Sequence, residues 1–298
     1  MCGSHWRQTH MIGYFMRTPK SETSPVRCDV LLVGTMGETG PVAAASLESH
    51  GLKVVRREFP QNIFRDEWGY RRAVTNALKD WAPSLIMPVG NTVALSRMRD
   101  SLPQGVRAAV ESEEKVRILD SKVACSALAA ELGIPQPRMY KCVDEVGDVQ
   151  VVFKRDVSFG GHGVHLPWTK DSLIHLIEHQ PAGEPYLIED YIDGTDYSVD
   201  AVRWHGGFMA SCYRTLSQKG LGPSSTREVV EFPEISAYAE RILDRLDYNG
   251  VCGMDFRVDM SGKAFFLECN PRFTGGLATQ IASGFDIPWM LWNCYLNL

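Results

Sequence analysis

Glu268 and Asn270 interrupt the otherwise apolar run 265-FFLECNPRFTGG-276, and Pro271 and Arg272 follow at once. A carboxylate and an amide two residues apart in a strand share one face, because successive side chains alternate. The preceding run 250-GVCGMDFRVDM-260 reads as the partner strand, joined through a two-residue turn at Ser261-Gly262. A symmetric hairpin centred there sets Asp255 opposite Glu268, with Gly253 opposite Asn270 leaving room, while Leu267 and Cys269 point the other way. Like charges facing each other across a ladder destabilise it, and burial adds to the cost. A divalent cation resolves the conflict: two carboxylates and an amide oxygen are a hard-oxygen set suited to Mg2+ or Mn2+, ions that also bind substrate phosphates. A structural ion pair to Arg257 or Arg272 is the competing explanation, and alternation does carry Arg257 onto the Asp255 face.

A second group with chemical potential is 153-FKRDVSFGGHGV-164. Lys154 at a strand end, followed by a glycine-bearing loop, suits oxyanions: backbone N–H groups approach them and the ammonium supplies a point charge. The loop lacks the Gly-Lys-Ser/Thr of a Walker A sequence, and 34-GTMGETG-40 lacks the spacing of a dinucleotide fingerprint. His175 and His179 stand one helical turn apart, but no third ligand is near, so a solvated helix face is the simpler reading. The eight cysteines include no CxxC pair and read as reduced, mostly core residues.

These groups need a scaffold. VLLVG from residue 30, a glycine turn, a helix over PVAAASLESHG and the strand KVVRREF form a βαβ unit that opens a parallel sheet. A helix over about 68–81 leads to the strand SLIMPVG. The segment 120-DSKVACSALAAELGIPQP-137 is a helix with its cap and its Gly/Pro stop. Strands follow at 149–154 and at YLIEDYI, with a helix near 171–180 between them. DYSVDAVRWHGGFMASCYR alternates as an antiparallel pair, 216-LSQKGLGPSSTRE-228 reads as a mobile loop, and a helix over about 234–248 precedes the final hairpin.

The chain has 298 residues, 44% of them hydrophobic, with net charge -5 and a pI near 5.9. Such a chain can bury a large core, and its charge gives no general attraction to nucleic acid or to an anionic membrane. Its apolar runs fall short of the roughly 18 residues of a membrane helix, and MIGYFM near the N-terminus is too short for a secretory core, so a cytoplasmic location is expected.

Taken together, ECNPR, VVFKRDVSFGGHGV, YLIEDYIDGTDYSVD and ILDSKVACSALAAELGIPQP resemble the ATP-grasp superfamily, nearest its carbamoyl-phosphate-synthase-like carboxylate–amine ligases. The resemblance implies an α/β chain: a poorly ordered tail (1–26), a Rossmann-like parallel domain (27–118), a small lid subdomain (119–185) and a C-terminal subdomain with the metal site (186–298), the grasp itself being built on antiparallel sheets. It implies that Lys122 and Lys154 contact ATP phosphates and that Ser158, Gly160, Gly161 and Gly163 belong to a lid over them. Glu189 and the segment Asp190, Tyr191 and Ile192 would hold adenine, and Asp196 the ribose. Asp255, Glu268 and Asn270 would ligate Mg2+, and Arg272 would steady the transferred phosphoryl group. Asp196 stands where many relatives carry Glu, and Arg155 and Met254 also depart from the common pattern. The implied activity activates a carboxylate as an acyl phosphate and joins it to an amine, with release of ADP and phosphate. Alternatives are a bicarbonate-activating enzyme and a non-catalytic ATP-binding protein. The implied partners are a small carboxylate, an amine and a second copy of the chain. Arg203, Arg214, Lys219 and Arg227 are candidates for gripping the acceptor.

Overall fold

The computed structural model describes residues 24–34, 37–59, 67–158, 161–218 and 224–296. The expected tail therefore lies outside the described residues up to position 23, and Val26 already opens the first strand. The elements run β1 (Val26–Gly34), α1 (Thr39–Ser49), β2 (Val54–Glu58), α2 (Glu67–Asp80), β3 (Trp81–Val89), α3 (Thr92–Ser96), β4 (Arg107–Ala108), α4 (Glu113–Asp120) and α5 (Lys122–Glu131). They continue as β5 (Met139–Tyr140), β6 (Val151–Arg155), β7 (Val164–His165), α6 (Lys170–Glu178), β8 (Tyr186–Asp190), β9 (Gly194–Trp204), β10 (Gly207–Gln218) and β11 (Ser224–Val230). The last are α7 (Pro233–Arg245), β12 (Gly250–Asp259), β13 (Ala264–Asn270), α8 (Leu277–Ala282) and α9 (Ile287–Leu296).

The unbroken apolar run of β1 makes it the centre of a parallel sheet ordered β2-β1-β3-β4. Its residues alternate between two cores. Val30 and Leu32 pack with Ala43, Ala44 and Leu47 of α1, while Leu31 and Val33 pack with Tyr70, Val74 and Ala77 of α2. Gly34 crosses so close to β3 that a Cβ there would lie 2.2 Å from the Val89 carbonyl oxygen. The first of these cores also takes in Leu277, Ile287 and Leu291, so the C-terminal helices α8 and α9 close over the N-terminal sheet.

Two antiparallel sheets follow. The smaller is ordered β5-β8-β6-β7, with α6 behind it; the larger is ordered β11-β10-β9-β12-β13, with α7 behind. β8 was expected to open the C-terminal subdomain and instead pairs with β6 and β5 in the small sheet. The expected 216–228 loop is shorter than read, because β10 extends to Gln218 and β11 pairs with it from Ser224. β11 is an edge strand, so its polar SSTRE start needs no buried face. Lys219 and the rest of 219–223 lie outside the described residues. The helix expected within 120–137 is α5, capped by Ser121, which leaves helical geometry (φ -85, ψ 119) and accepts from the Ala124 N–H through its side chain; the preceding α4 was not anticipated.

Candidate active site

β12 is flanked by β9 and β13, and three side chains meet at its middle. Asp255 lies opposite Glu268 on β13 and opposite Ser198 on β9, whose hydroxyl donates to Asp255 Oδ1 at 2.6 Å. The turn differs from expectation. Met260, Ser261 and Gly262 form a three-residue connection with Gly262 at φ 86, and pairing restarts at Val258–Ala264. A bulge at Leu267 then shifts the register, so that Phe256 faces Phe266 but Asp255 faces Glu268. The bulge also brings Leu267 to the cleft, contrary to strict alternation. The space opposite Asn270 left by Gly253 is filled: a Cβ there would lie 2.0 Å from Thr274 Cγ2 and 2.7 Å from Asp200 Oδ1.

Charge compensation in the site is uneven. Burial, followed by repulsion from Glu268, pushes the Asp255 carboxyl up to about 7. Burial also works against an ionised Glu268, but Lys122 and Lys154, with hydrogen bonds from Lys122 and Asn270, outweigh it and hold Glu268 below its ordinary value. The buried Lys122 ammonium lies 3.1 Å from Glu268 Oε2 and donates to the carbonyls of Asp156 (3.3 Å) and Ser158 (3.4 Å). Lys154 points the same way from β6 and sits 2.5 Å from Glu189 Oε1, both side chains being buried. Burial raises Glu189, with Lys154 opposing. Arg257 does not pair with Asp255; its Nε lies 3.1 Å from Asp196 Oδ1 and its guanidinium rests over Tyr191. The Arg272 guanidinium donates to Asn270 Oδ1 at 2.8 Å.

Lys154, Glu189, Asp196, Asp255, Arg257, Glu268, Asn270 and Arg272 border one cleft of about 1190 Å3 between the small sheet, the large sheet and the C-terminal ends of β1 and β3, and Lys122 reaches it through its ion pair with Glu268. That volume exceeds the roughly 300–1,000 Å3 of most small-molecule sites, giving room for two substrates. Val152, Val164, Leu166 and Leu267 form an apolar section beside Glu189–Ile192. There the Asp190 and Tyr191 N–H groups donate to the carbonyls of Arg138 and Gln150, leaving the Ile192 N–H without a partner among the described residues. The loop residues Ser158 and Gly161 line the cleft, whereas Gly163 lies against the Arg155 side chain; the two glycines are at φ 78 and 79, and Gly160 is outside the described residues. Asp255 and Glu268, with the second lone pair of Asn270 Oδ1, fit a hard divalent cation, because two facing carboxylates share one neighbouring ammonium. Among the described residues no cluster of three His, Cys, Asp or Glu side chains stands ready for a metal.

Of the acceptor candidates, Arg227 borders the cleft, lies over Tyr213 and donates to the Gly275 carbonyl. Arg203 does not: it binds Asp244 and Asp247 at the α7–β12 junction. Arg214 pairs with Glu228 across the exposed β10–β11 ladder. His175 and His179 meet with tilted rings at the end of α6, their centroids 3.8 Å apart. Two residues bordering the site were not anticipated. Asp120 lines the cleft, its carboxyl raised by burial against the pull of Arg272 and Lys122. Asp200 is buried, raised to about 6 by burial, and accepts the Thr274 hydroxyl at 2.9 Å. Its signal was available: Asp196, Ser198 and Asp200 alternate onto one face of β9.

Residues 182–298 match the family described as ATP-grasp in the biosynthetic pathway with Ter operon. A carbamoyl phosphate synthase large chain from Thermoanaerobacter sp. is 27% identical over 203 residues, 61% of this chain and 19% of that protein. The chain thus spans about a fifth of the length of the curated relatives it matches. Among solved structures, the biotin carboxylase domain of Hydrogenobacter thermophilus 2-oxoglutarate carboxylase, in complex with MgADP, ADP and bicarbonate, superposes with a TM-score of 0.73 at 16% identity. That match covers 89% of this chain and 69% of the other. An L-amino acid ligase from Bacillus licheniformis superposes with a TM-score of 0.67 at 15% identity, covering 90% of this chain and 74% of the other.

Proposed function

We propose that this chain, whose residues 182–298 match an ATP-grasp family and whose fold superposes on the biotin carboxylase domain, has the activity of an ADP-forming ligase that activates a substrate carboxylate as an acyl phosphate and passes the acyl group to an amine. The observation that carries the reading is a facing carboxylate pair, Asp255 and Glu268, in a cleft that the buried Lys154 also lines, with the buried Lys122 ammonium 3.1 Å from Glu268. An ATP triphosphate laid there meets cations on one side and a cation-holding carboxylate pair on the other, the arrangement phosphoryl transfer needs.

A carboxylate is a poor electrophile, and phosphorylation turns one of its oxygens into a leaving group. Asp255, Glu268 and Asn270 would hold Mg2+, which when bound would supply positive charge against the polyphosphate. Lys154 and Lys122 offset the charge of the triphosphate, and Arg272 reaches the phosphoryl group from the opposite side of Asn270. The substrate carboxylate oxygen bonds to the γ-phosphorus as the bond to ADP breaks; the amine nitrogen then bonds to the acyl carbon as phosphate departs. The Ile192 N–H and the apolar section hold adenine, and Asp196 the ribose hydroxyls. Ser158 and Gly161 cover the phosphates and keep water from the acyl phosphate.

The test is phosphate release and hydroxamate formation with Mg-ATP, pooled carboxylic and amino acids and hydroxylamine, on the intact chain and on Glu268→Gln. Hydroxamate from the unaltered chain alone is expected. Phosphate release that depends on bicarbonate and yields no hydroxamate moves the assignment to carboxy-phosphate chemistry, which the names of the curated relatives favour. Tight ATP binding with no turnover in either sample sinks the ligase reading.

A further inference from the structure

Lys122 and a divalent cation need the same oxygen. The ammonium lies 3.1 Å from Glu268 Oε2, and its other two protons are directed at the Asp156 and Ser158 carbonyls, so all three of its donors are used. With a relative exposure of 4%, it has no water to turn to if the carboxylate is taken away. Among the described residues Glu268 is the only carboxylate within ion-pair distance of it. A cation bridging Asp255 and Glu268 would meet this ammonium at close range, where like charges in a poorly solvated site repel strongly. The conflict disappears when another anion reaches Lys122, because the ammonium can then leave Oε2 without being stranded. The carbonyls of Asp156 and Ser158 belong to the loop that begins at the end of β6, and that loop borders the section of the cleft suited to phosphates.

We propose that Lys122 is the residue that makes the carboxylate pair accept a divalent cation only together with a polyphosphate. The ligand class is the metal–nucleotide complex, and the free cation is excluded by an ammonium already on its ligand. The proposal rests on reading Asp255 and Glu268 as the cation site; it does not depend on which acid or amine the protein joins.

The experiment is Mn2+ binding to the full chain, followed by the loss of free-ion signal in electron paramagnetic resonance, with and without ADP. For the unaltered chain, Mn2+ binding without nucleotide should be at least about tenfold weaker than with ADP. In Lys122→Met the nucleotide-free affinity should rise about tenfold or more, and ADP should enhance it less. If Lys122→Met fails to fold, Lys122→Gln, which keeps donors for the two carbonyls without the charge, serves the same test. Equal nucleotide-free affinity in the unaltered chain and the variant overturns the proposal while leaving the cation site standing. Absence of Mn2+ binding in the unaltered chain, even with ADP, overturns the site and the proposal together. Failure of the hydroxamate assay with ADP-dependent Mn2+ binding intact would touch only the ligase reading.

Discussion

Replacing Lys154 by Met should unmask the burial of Glu189. The ion pair spans 2.5 Å, and its side chains are 7% and 2% exposed, so neither charge is screened by solvent. Removing one partner of a buried pair costs about 3–5 kcal/mol, because the other charge is left without compensation. At roughly 2–4 °C per kcal/mol for larger domains, the melting temperature near pH 8 should fall on the order of 6–20 °C. The pH dependence identifies the cause. Burial already raises Glu189 above its ordinary 4.5, and Lys154 is the strongest influence opposing that rise. Without the lysine the folded-state value climbs further. A carboxyl raised on folding contributes stability that is full below its unfolded value and is lost as pH rises through its folded value. The deficit of Lys154→Met should therefore be small at pH values below the folded-state value of Glu189 in the unaltered chain and grow by about 1.4 kcal/mol per pH unit above that value until the variant's own folded value is passed. Adding Glu189→Gln should restore most of the stability at pH 8, since no charge is then buried alone. Thermal melts followed by circular dichroism between pH 5 and 8.5 provide the measurement. A deficit below about 1 kcal/mol, or one that does not change with pH, would refute the reasoning, because a surface pair behaves that way.

Asp255 titrates at about 7 against an ordinary 3.8, so its contribution to stability is present below 3.8 and lost as pH rises through 7, the same interval in which it becomes able to ligate a cation. The melting-temperature gain from Mg2+ with ADP should accordingly be larger at pH 8 than at pH 6, and Asp255→Asn should abolish that difference; a gain that is flat with pH in the unaltered chain counts against the coupling of Asp255 to Glu268. Gly253→Ala would push a methyl to 2.0 Å from Thr274 Cγ2, and overpacking of that order costs about 1–3 kcal/mol or more. Its urea midpoint should drop, and Thr274→Ser in the same chain should recover part of the loss by removing the opposing methyl; an unchanged midpoint for Gly253→Ala would show that the strands can part at little cost.

Much of the fold is written in local pattern. β1 reads as a central parallel strand because a continuous apolar run is what two covered faces require, and α1 and α2 bury the two sets of alternating side chains it presents. β11 and α4 are less legible. An edge strand buries little, so SSTRE carries no alternation to see, and α4 is a short helix that buries only Val116 and Leu119, too little to display a period. The Lys122–Glu268 and Lys154–Glu189 pairs join residues far apart in the chain, and residue spacing gives no sign of which lysine meets which carboxylate.

The facing of Asp255 and Glu268 was reached from the sequence by a route the molecule does not take. A two-residue turn at Ser261-Gly262 gives that pairing directly, whereas the actual three-residue turn pairs Val258 with Ala264 and, continued without interruption, would set Asp255 against Leu267 and Met254 against Glu268. In that register Glu268 would share the core face of buried Met254, and Leu267 would stand at the cation site. The bulge at Leu267 absorbs the extra residue and returns Glu268 to the cleft in time to meet Asp255. The two departures from the simplest hairpin cancel from the carboxylates onward, through Met254–Cys269 and Gly253–Asn270, while Phe256 to Val258 keep the turn's register. A chain that needed only a stable hairpin would have no use for that correction. Its position one residue before Glu268 is accounted for by the requirement that two carboxylates share one face, which is a demand of the site rather than of the sheet.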